Sequence, residues 1–500
     1  MSGDTLDYVD PGTAFSLVGA LHLLMSVAAG THVVLNKQNE AAAFSWLGII
    51  VLAPLMGAIL YWLFGINRIR RRAQAELPDY TISLEESAGE NAVDVDAMED
   101  PWRAHMQLGM GVHDTRYVSG NHVEPLINGD RAYPAMIDAI NEASHSVFLS
   151  SYIFEYDPVG VQFVEALVNA HHRGVAVRVM IDGLGVGYGF SLVRADRVLR
   201  RRGVKTARFL STWSSSGTRF INLRNHRKIL SVDGELAFVG GMNIRAGNLV
   251  GTSLGDKALS RQDKALESTA VKVGKHLTQD VHFKVRGPVI NQINAVFAAD
   301  WQFAAREKLK PPVWRGGEVG SVCLRALLDG PDDNYQKLQL TLLGAIHFAQ
   351  SRICIVSPYF LPDRTVFSAL QMAVLRGVRV DICVPERNNL LIVGWAMRAN
   401  RRRLLQIGVH LHESEPPFDH SKLFVVDEYW SMVGSSNWDS RSLELNFEIN
   451  LECYDTAMNR ELVDIIDGKL ARSTEVLACT DRHFLPRLRN NFFRLFSPYL

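Results

Sequence analysis

The sequence predicts an α/β protein built from two pseudo-twofold-related α/β halves packed together, preceded by an N-terminal transmembrane helical hairpin. Three observations predict it. Two long runs near the N-terminus hold no Asp, Glu, Lys or Arg; past about residue 115 the order apolar run, helical period, glycine, apolar run occurs twice; and a His-x-Lys hairpin recurs at 226–228 and 420–422.

A tail over 1–12 precedes the two runs. Residues 13–35 and 41–65 are each near the roughly 20 residues that span a bilayer as a helix. The connection "NKQNE" (36–40) is short, so it forces a hairpin whose ends leave on one side. Arg68, Arg70, Arg71 and Arg72 follow the second run and predict that this side is cytoplasmic. Asp4, Asp7 and Asp10 stand where a cleavable signal peptide would carry positive charge. Residues 66–104 read as a linker, basic and then acidic. Its 76–100 stretch has nine carboxylates and no basic residue, which predicts a self-repelling tether.

The repeated part divides into 105–315 and 316–478. "SVFLSSYIFEYDPVGVQFVEALVNAHHRGVAVRVMID" (146–182) and "RICIVSPYFLPDRTVFSALQMAVLRGVRVDICVP" (352–385) each read strand, helix, glycine stop, strand. That order makes a βαβ unit with a right-handed crossover. Tyr152 matches Tyr359, and Arg173-Gly174 matches Arg376-Gly377. The closing 479–500 segment interleaves Arg with Phe and Leu around Pro486, a composition suited equally to a membrane interface and to docking on the core.

The chemistry lies in "NHRKILSVDGELAFVGGMN" (225–243) and "DHSKLFVVDEYWSMVGSSN" (419–437). On a strand, residues i and i+2 face one way, so His226 with Lys228, and His420 with Lys422, project an imidazole and an ammonium together. Asp233 and Asp427 open the turns, where a carboxylate orients hydrogen bonds more readily than it touches substrate. The returning strands bring Gly241 and Asn243, or Ser435 and Asn437, beside the His-Lys end, where small residues let a ligand approach the backbone and all four are expected to contact substrate. Two imidazoles, two ammoniums and two amides make a cationic pocket fitted to a phosphodiester in its transition state. Asp280 and Glu448 occupy matching places on alternating strands that follow each hairpin, and each is expected to orient the histidine of the opposite half. The first half has a longer connection, roughly 245–275, which is expected to gate the site.

Composition narrows the classes. Lys plus Arg equals Asp plus Glu over 500 residues, so no global charge points to nucleic acid. Cys323, Cys354, Cys383, Cys453 and Cys479 lack metal-ligand spacing, and no metal or cofactor is expected.

The HxK, four residues, Asp, six residues, Gly-(Gly/Ser)-x-Asn pattern resembles the HKD motif of the phospholipase D superfamily in both copies. Within it, "GNHVEPLINGDRAYPAMIDAINEA", "TQDVHFKVRGPVINQINAVFAADW", "SNWDSRSLELNFEINLECYD" and the terminal "SPYL" resemble the bacterial cardiolipin synthases with two N-terminal transmembrane helices. The resemblance implies phosphatidyl transfer between two phosphatidylglycerol molecules, giving cardiolipin and glycerol through a phosphatidyl-histidine. It implies His226 as nucleophile and His420 as acid and base, with Lys228, Lys422, Asn243 and Asn437 on the phosphoryl oxygens. It also implies anionic lipid partners, no nucleic acid, and a multi-pass protein of the bacterial cytoplasmic membrane with its catalytic domain inside. The alternatives are a hydrolytic phospholipase D and transfer to another acceptor, such as phosphatidylethanolamine or a free alcohol. Oligomeric state has no signature in the sequence.

Overall fold

The computed structural model describes residues 11–37, 40–65, 91–98, 102–185, 193–210, 223–251, 277–330, 336–444, 446–478 and 483–497. Two compact units divide the chain, 1–72 and 73–500.

In the first unit, helices α1 (Pro11–Asn36), α2 (Glu40–Leu52) and α3 (Pro54–Leu60) are followed by a π turn at Tyr61–Gly65. Ala29, Val33, Ile50, Ala58 and Tyr61 pack together, and His32 Nδ1 lies 2.8 Å from the Tyr61 hydroxyl. The uninterrupted span expected over 41–65 is corrected. Proline has no backbone N–H to continue a helical ladder, so the segment restarts at Pro54. Among the described residues no helix is long and apolar enough to cross a membrane. The arginines used to orient the hairpin lie outside the described residues.

The second unit begins earlier than the linker expectation allows. Residues 66–90 are outside the described set, but Ala92 bridges Val118, and Val93, Val95 and Met98 pack on the core. The apolar side chains between the carboxylates pin this stretch where charge alone predicts a free tether. Helix α4 (Trp102–Val112) follows directly.

The first half then runs β1 (Val118–Ile127), α5 (Asn128–Glu142), β2 (Ser146–Ser151), α6 (Pro158–His172), β3 (Ala176–Asp182), α7 (Ala195–Arg201), β4 (Lys205–Phe209), β5 (Arg224–Asn225), β6 (Ile229–Val232), β7 (Leu236–Gly240), β8 (Thr278–Gln279), β9 (Val281–Arg286) and α8 (Ile290–Ala305). The second half runs β10 (Val322–Asp329), α9 (Lys337–Phe348), β11 (Arg352–Val356), α10 (Arg364–Leu375), β12 (Arg379–Pro385), α11 (Leu391–Gln406), β13 (His410–Ser414), β14 (Phe418–Asp419), β15 (Leu423–Val426), β16 (Trp430–Gly434), α12 (Ser440–Glu444), β17 (Asn446–Tyr454), α13 (Thr456–Leu470) and β18 (Ser473–Glu475). One continuous sheet joins them in the order β18-β13-β12-β11-β15-β16-β17-β10-β1-β9-β7-β6-β2-β3-β4. Read outward from the β10-β1 pair, the two arms match strand for strand as far as β13 and β4, which is the pseudo-twofold, and β18 has no counterpart among the described residues.

Local chemistry repeats with the topology. Asp157 caps α6 by accepting from Val159 and Gly160 N–H, and Asp363 caps α10 by accepting from Val366 N–H. Both helices stop at a glycine in the left-handed region, Gly174 and Gly377, each at φ 90°. The preceding Arg173 and Arg376 each donate to two carbonyls at the end of the neighbouring helix, α5 and α9. β2 and β11 are buried on both faces; in β11, Ile353 and Ile355 join one apolar cluster and Cys354 and Val356 another.

After β18, helix α14 (Phe484–Arg494) docks on α11. Phe493 packs on Trp395 at 5.0 Å, and the Arg489 guanidinium lies 4.6 Å over that ring. The outer face keeps Phe484, Leu485, Leu488 and Phe492 exposed.

Candidate active site

Each His-x-Lys stretch reaches the centre on a two-residue strand that pairs with the other half. β5 runs parallel to β17, with Arg224 opposite Asn446, and β14 runs parallel to β8, with Phe418 opposite Thr278. The register is extended by His226 N–H donating to Phe447 O at 2.9 Å and His420 N–H donating to Gln279 O at 2.7 Å. Asn225 and Asp419 precede the histidines and accept from the N–H of Arg227 and Ser421, so a local turn aims each imidazole.

This exchange of strands sets the partners. His226 Nδ1 lies 3.0 Å from Glu448 Oε2, and His420 Nδ1 lies 2.8 Å from Asp280 Oδ2. With Nδ1 held by a carboxylate, Nε2 is the nitrogen free for chemistry. Lys228 and Lys422 are buried, and each donates through Nζ to the carbonyl of its own histidine, at 2.6 and 2.5 Å. Tyr152 packs edge-on against His226 at 5.0 Å and Tyr359 against His420 at 6.2 Å. Both histidines open onto a cavity of about 390 Å³, also lined by Tyr152, Tyr359, Asn243, Asn437 and three arginines.

Electrostatics separates the matched pairs. Burial pushes His226 down while Glu448 pulls it back up; burial and then Lys422 and Lys228 push His420 well below the ordinary imidazole range. Burial also raises Asp280 to about 6. Glu448 meets the same penalty, but His226, Lys228 and the Ser435 hydroxyl outweigh it and hold the carboxyl low. His226 contributes most to lowering Glu448, the charge of Asp419 adds to the raising of Asp280, and one matched position also differs. Ser435 Oγ donates to Glu448 Oε2 at 2.5 Å, whereas Gly241 has no hydroxyl to give Asp280, and a Cβ there would lie 2.9 Å from both of its oxygens.

Four expected positions need correction. Asp233 and Asp427 are grouped by sequence with the catalytic residues, but both sit at the far ends of their hairpins with φ of 55° and 51°. Asp233 accepts from the N–H of Ser144, His145 and Ser146, and Asp427 from Gln350, Ser351 and Arg352, so they anchor the strand entries. A turn carboxylate is satisfied by the nearest amides and never reaches the cavity. Gly241 and Ser435 also differ from the substrate contacts expected of them. They lie behind the carboxylates and do not line the cavity. Asn243 and Asn437 do line it; Asn243 Oδ1 accepts from Ile153 N–H, and Asn437 Nδ2 donates to Ser442 Oγ.

Most of the 245–275 connection is outside the described residues. Sequence reading missed Arg224, Arg245 and Arg441 on the cavity wall. Arg224 stands two residues before His226 on the same strand face, and that spacing was the available signal. Among the described residues no cluster of His, Cys, Asp and Glu is arranged to hold a metal.

Burial pushes Lys228 down to about 7 and Lys422 to about 8. A lysine with a lowered pKa carries charge below that value and loses it above. The kcat/KM of the free enzyme for an anionic substrate is therefore expected to fall as pH rises through about 7 to 8. Lys228→Arg keeps its charge, and initial rates at sub-saturating substrate should show that limb at higher pH. An unmoved limb would show that Lys228 does not set it.

The family model described as "Cardiolipin synthase, PLD-like domain" matches residues 136–269 and 342–470, and "Phospholipase_D-nuclease N-terminal" matches 23–65. The chain is 32% identical to "Cardiolipin synthase A" of Pseudomonas fluorescens, over 99% of this chain and 100% of that protein. It is 29% identical to the cardiolipin synthase of Geobacillus thermodenitrificans, over 93% and 90%. The phosphatidylserine synthase of Haemophilus influenzae shares the fold, with a TM-score of 0.59 at 12% identity over 79% of this chain and 97% of that one.

Proposed function

The chain belongs to the phospholipase D-like cardiolipin synthase family of phosphatidyltransferases, and on that premise we propose that it joins two phosphatidylglycerol molecules into cardiolipin and glycerol. The observation that carries this reading is the pair of histidines on one cavity, each backed through Nδ1 by a carboxylate of the opposite half.

In the first step Nε2 of one histidine, His226 by the resemblance, attacks the phosphorus. The bond from phosphorus to the glycerol oxygen breaks, and the departing oxygen takes a proton from Nε2 of the other histidine, which acts in its imidazolium form, favoured against burial and the lysines by the substrate's phosphate charge. In the second step a hydroxyl oxygen of the second phosphatidylglycerol attacks, the phosphorus–nitrogen bond breaks, and the hydroxyl proton returns to that other histidine. Lys228 and Lys422 stabilise the phosphoryl charge from behind, and Asn243 and Asn437 meet its oxygens. Glu448 and Asp280 fix the tautomers.

Work at an anionic lipid surface of the bacterial cytoplasmic membrane is supported by two features of the second unit. α14 leaves Phe and Leu side chains exposed, and its Arg487 and Arg494 line, with Arg398, Arg402 and Arg403, a cavity of about 550 Å³. Apolar insertion beside clustered arginine is the chemistry of an interfacial helix on anionic lipid.

The test is to incubate the detergent-solubilised full chain with headgroup-labelled phosphatidylglycerol, with no added alcohol, and to follow lipids by mass spectrometry. Cardiolipin plus free glycerol is expected. Phosphatidic acid as the main product would make water the acceptor and replace transfer by hydrolysis.

A further inference from the structure

Two phosphodiesters must enter this site, and the groups described so far account for the one that reacts. We propose that Arg224 holds the phosphate of the second phosphatidylglycerol, and thereby selects a phosphate-bearing alcohol over water and neutral alcohols. The inference deepens the function proposed above and rests on it.

The pseudo-twofold fails at more than one place on the cavity wall: Arg245 stands where the second copy has Asp439, and the positions before the two histidines also differ. Two residues before His226 stands Arg224, opposite Asn446; two residues before His420 stands Phe418, opposite Thr278. One mouth of the site is therefore polar and cationic and the other is lined by a ring and a small side chain. Residues i and i+2 of a strand share a face and lie about 6.6 Å apart along it. That is the scale of the three-carbon bridge between the two phosphorus atoms of the product.

Arg224 is 2% exposed, and none of its three guanidinium nitrogens has a hydrogen-bond partner among the described residues. The nearest carboxylate oxygen, Asp182 Oδ1, is 3.9 Å away, beyond hydrogen-bond reach, and Asp182 is itself occupied by the N–H groups of Leu184 and Asn225. Asn446 beside it has Nδ2 used on Glu448 and an unpartnered Oδ1, an acceptor suited to a hydroxyl of the incoming glycerol and not to its phosphate. A buried guanidinium with all donors unmade is costly until an anion arrives, and its planar fork suits two phosphate oxygens at once. Arg441 lines the same cavity, as do Arg245, paired with Glu155 at 3.6 Å, and Asp439, so Arg224 is the buried wall guanidinium with no hydrogen-bond partner among the described residues. Water and simple alcohols can accept single hydrogen bonds from these donors, but they bring no charge and cannot bridge the fork as a phosphate does.

The experiment lets acceptors compete for one intermediate. The full chain, Arg224→Gln and Arg224→Lys are given phosphatidylglycerol with a fixed concentration of butanol, and the ratio of cardiolipin to phosphatidylbutanol is measured. Both products drain the same phosphatidyl-enzyme, so the ratio does not depend on how much enzyme is folded. In Arg224→Gln the ratio is expected to drop by about tenfold or more, with partial recovery in Arg224→Lys. A ratio within about twofold of the parent overturns the proposal. If Arg224→Gln yields no product, Arg224→Lys decides, since a retained charge with lost bidentate geometry must still lower the ratio. Phosphatidylbutanol without cardiolipin from the parent chain would overturn the functional reading and this inference together.

Discussion

His226→Ala and His420→Ala are each expected to lower cardiolipin formation by on the order of 10⁴-fold, and the double variant to be no worse than either. The reason for the missing additivity is that both histidines serve one phosphorus. Without a nucleophile the acid has no intermediate to serve, and without the acid the glycerol leaves unprotonated. Both side chains are 13% exposed and hold their partners at the edge of a cavity, so truncation removes chemistry more than core packing. Initial rates from mass spectrometry of lipid products check it. Retention of a tenth of the parent rate by either variant would remove the two-histidine scheme. A donor whose leaving group needs no proton, such as a phosphatidyl nitrophenol, separates the roles. His420→Ala should then accumulate a phosphatidyl adduct on His226, whereas an adduct on His420 in His226→Ala would reverse the assignment.

The two arms of the sheet and the meeting of four motif side chains were legible because they rest on patterns with a period. Alternating strands, glycine stops and the twin His-x-Lys hairpins all repeat, and aligning the repeats alone brings Asp280 level with Glu448. What stayed hidden has no period. β5 and β14 are two residues long, too short for any alternation, yet they carry each histidine across to the other half. Asp233 and Asp427, by contrast, share a motif with the histidines, yet their place at the turns already set them apart, because a turn residue serves the amides next to it. The acidic stretch misled for the opposite reason: its charge pattern says tether, while Val93 and Val95 find the core. Pro54 was visible inside an apolar run, but hydropathy counts a proline as one residue when its missing N–H ends a helix.

The expected consequence of Glu448→Gln is a loss of about 10³ to 10⁴ in kcat with the fold retained, a cost comparable to losing a histidine's orienting carboxylate elsewhere. The amide is nearly isosteric, so the argument turns on hydrogen bonds. Every partner of the Glu448 carboxylate is a donor: Ser435 Oγ at one oxygen, Asn446 Nδ2 at the other, and His226 Nδ1 across both. A carboxamide must turn its NH₂ toward one of them. Two neighbours already compete for its carbonyl, and turning the NH₂ to His226 forces the proton onto Nε2, the wrong nitrogen for attack. Asp280→Asn meets the same conflict, since Val281 N–H takes one oxygen and His420 the other, with Lys422 Nζ 3.0 Å from the same imidazole nitrogen. Ser435→Ala leaves both carboxylate oxygens in place and should cost only about tenfold. A double-mutant cycle distinguishes positioning from general damage. In a His226→Ala background Glu448→Gln should cost almost nothing further, because the ring it orients is gone. If the two losses multiply instead, Glu448 acts on the fold or on the substrate directly, and the cross-half pairing is not what sets up the histidine.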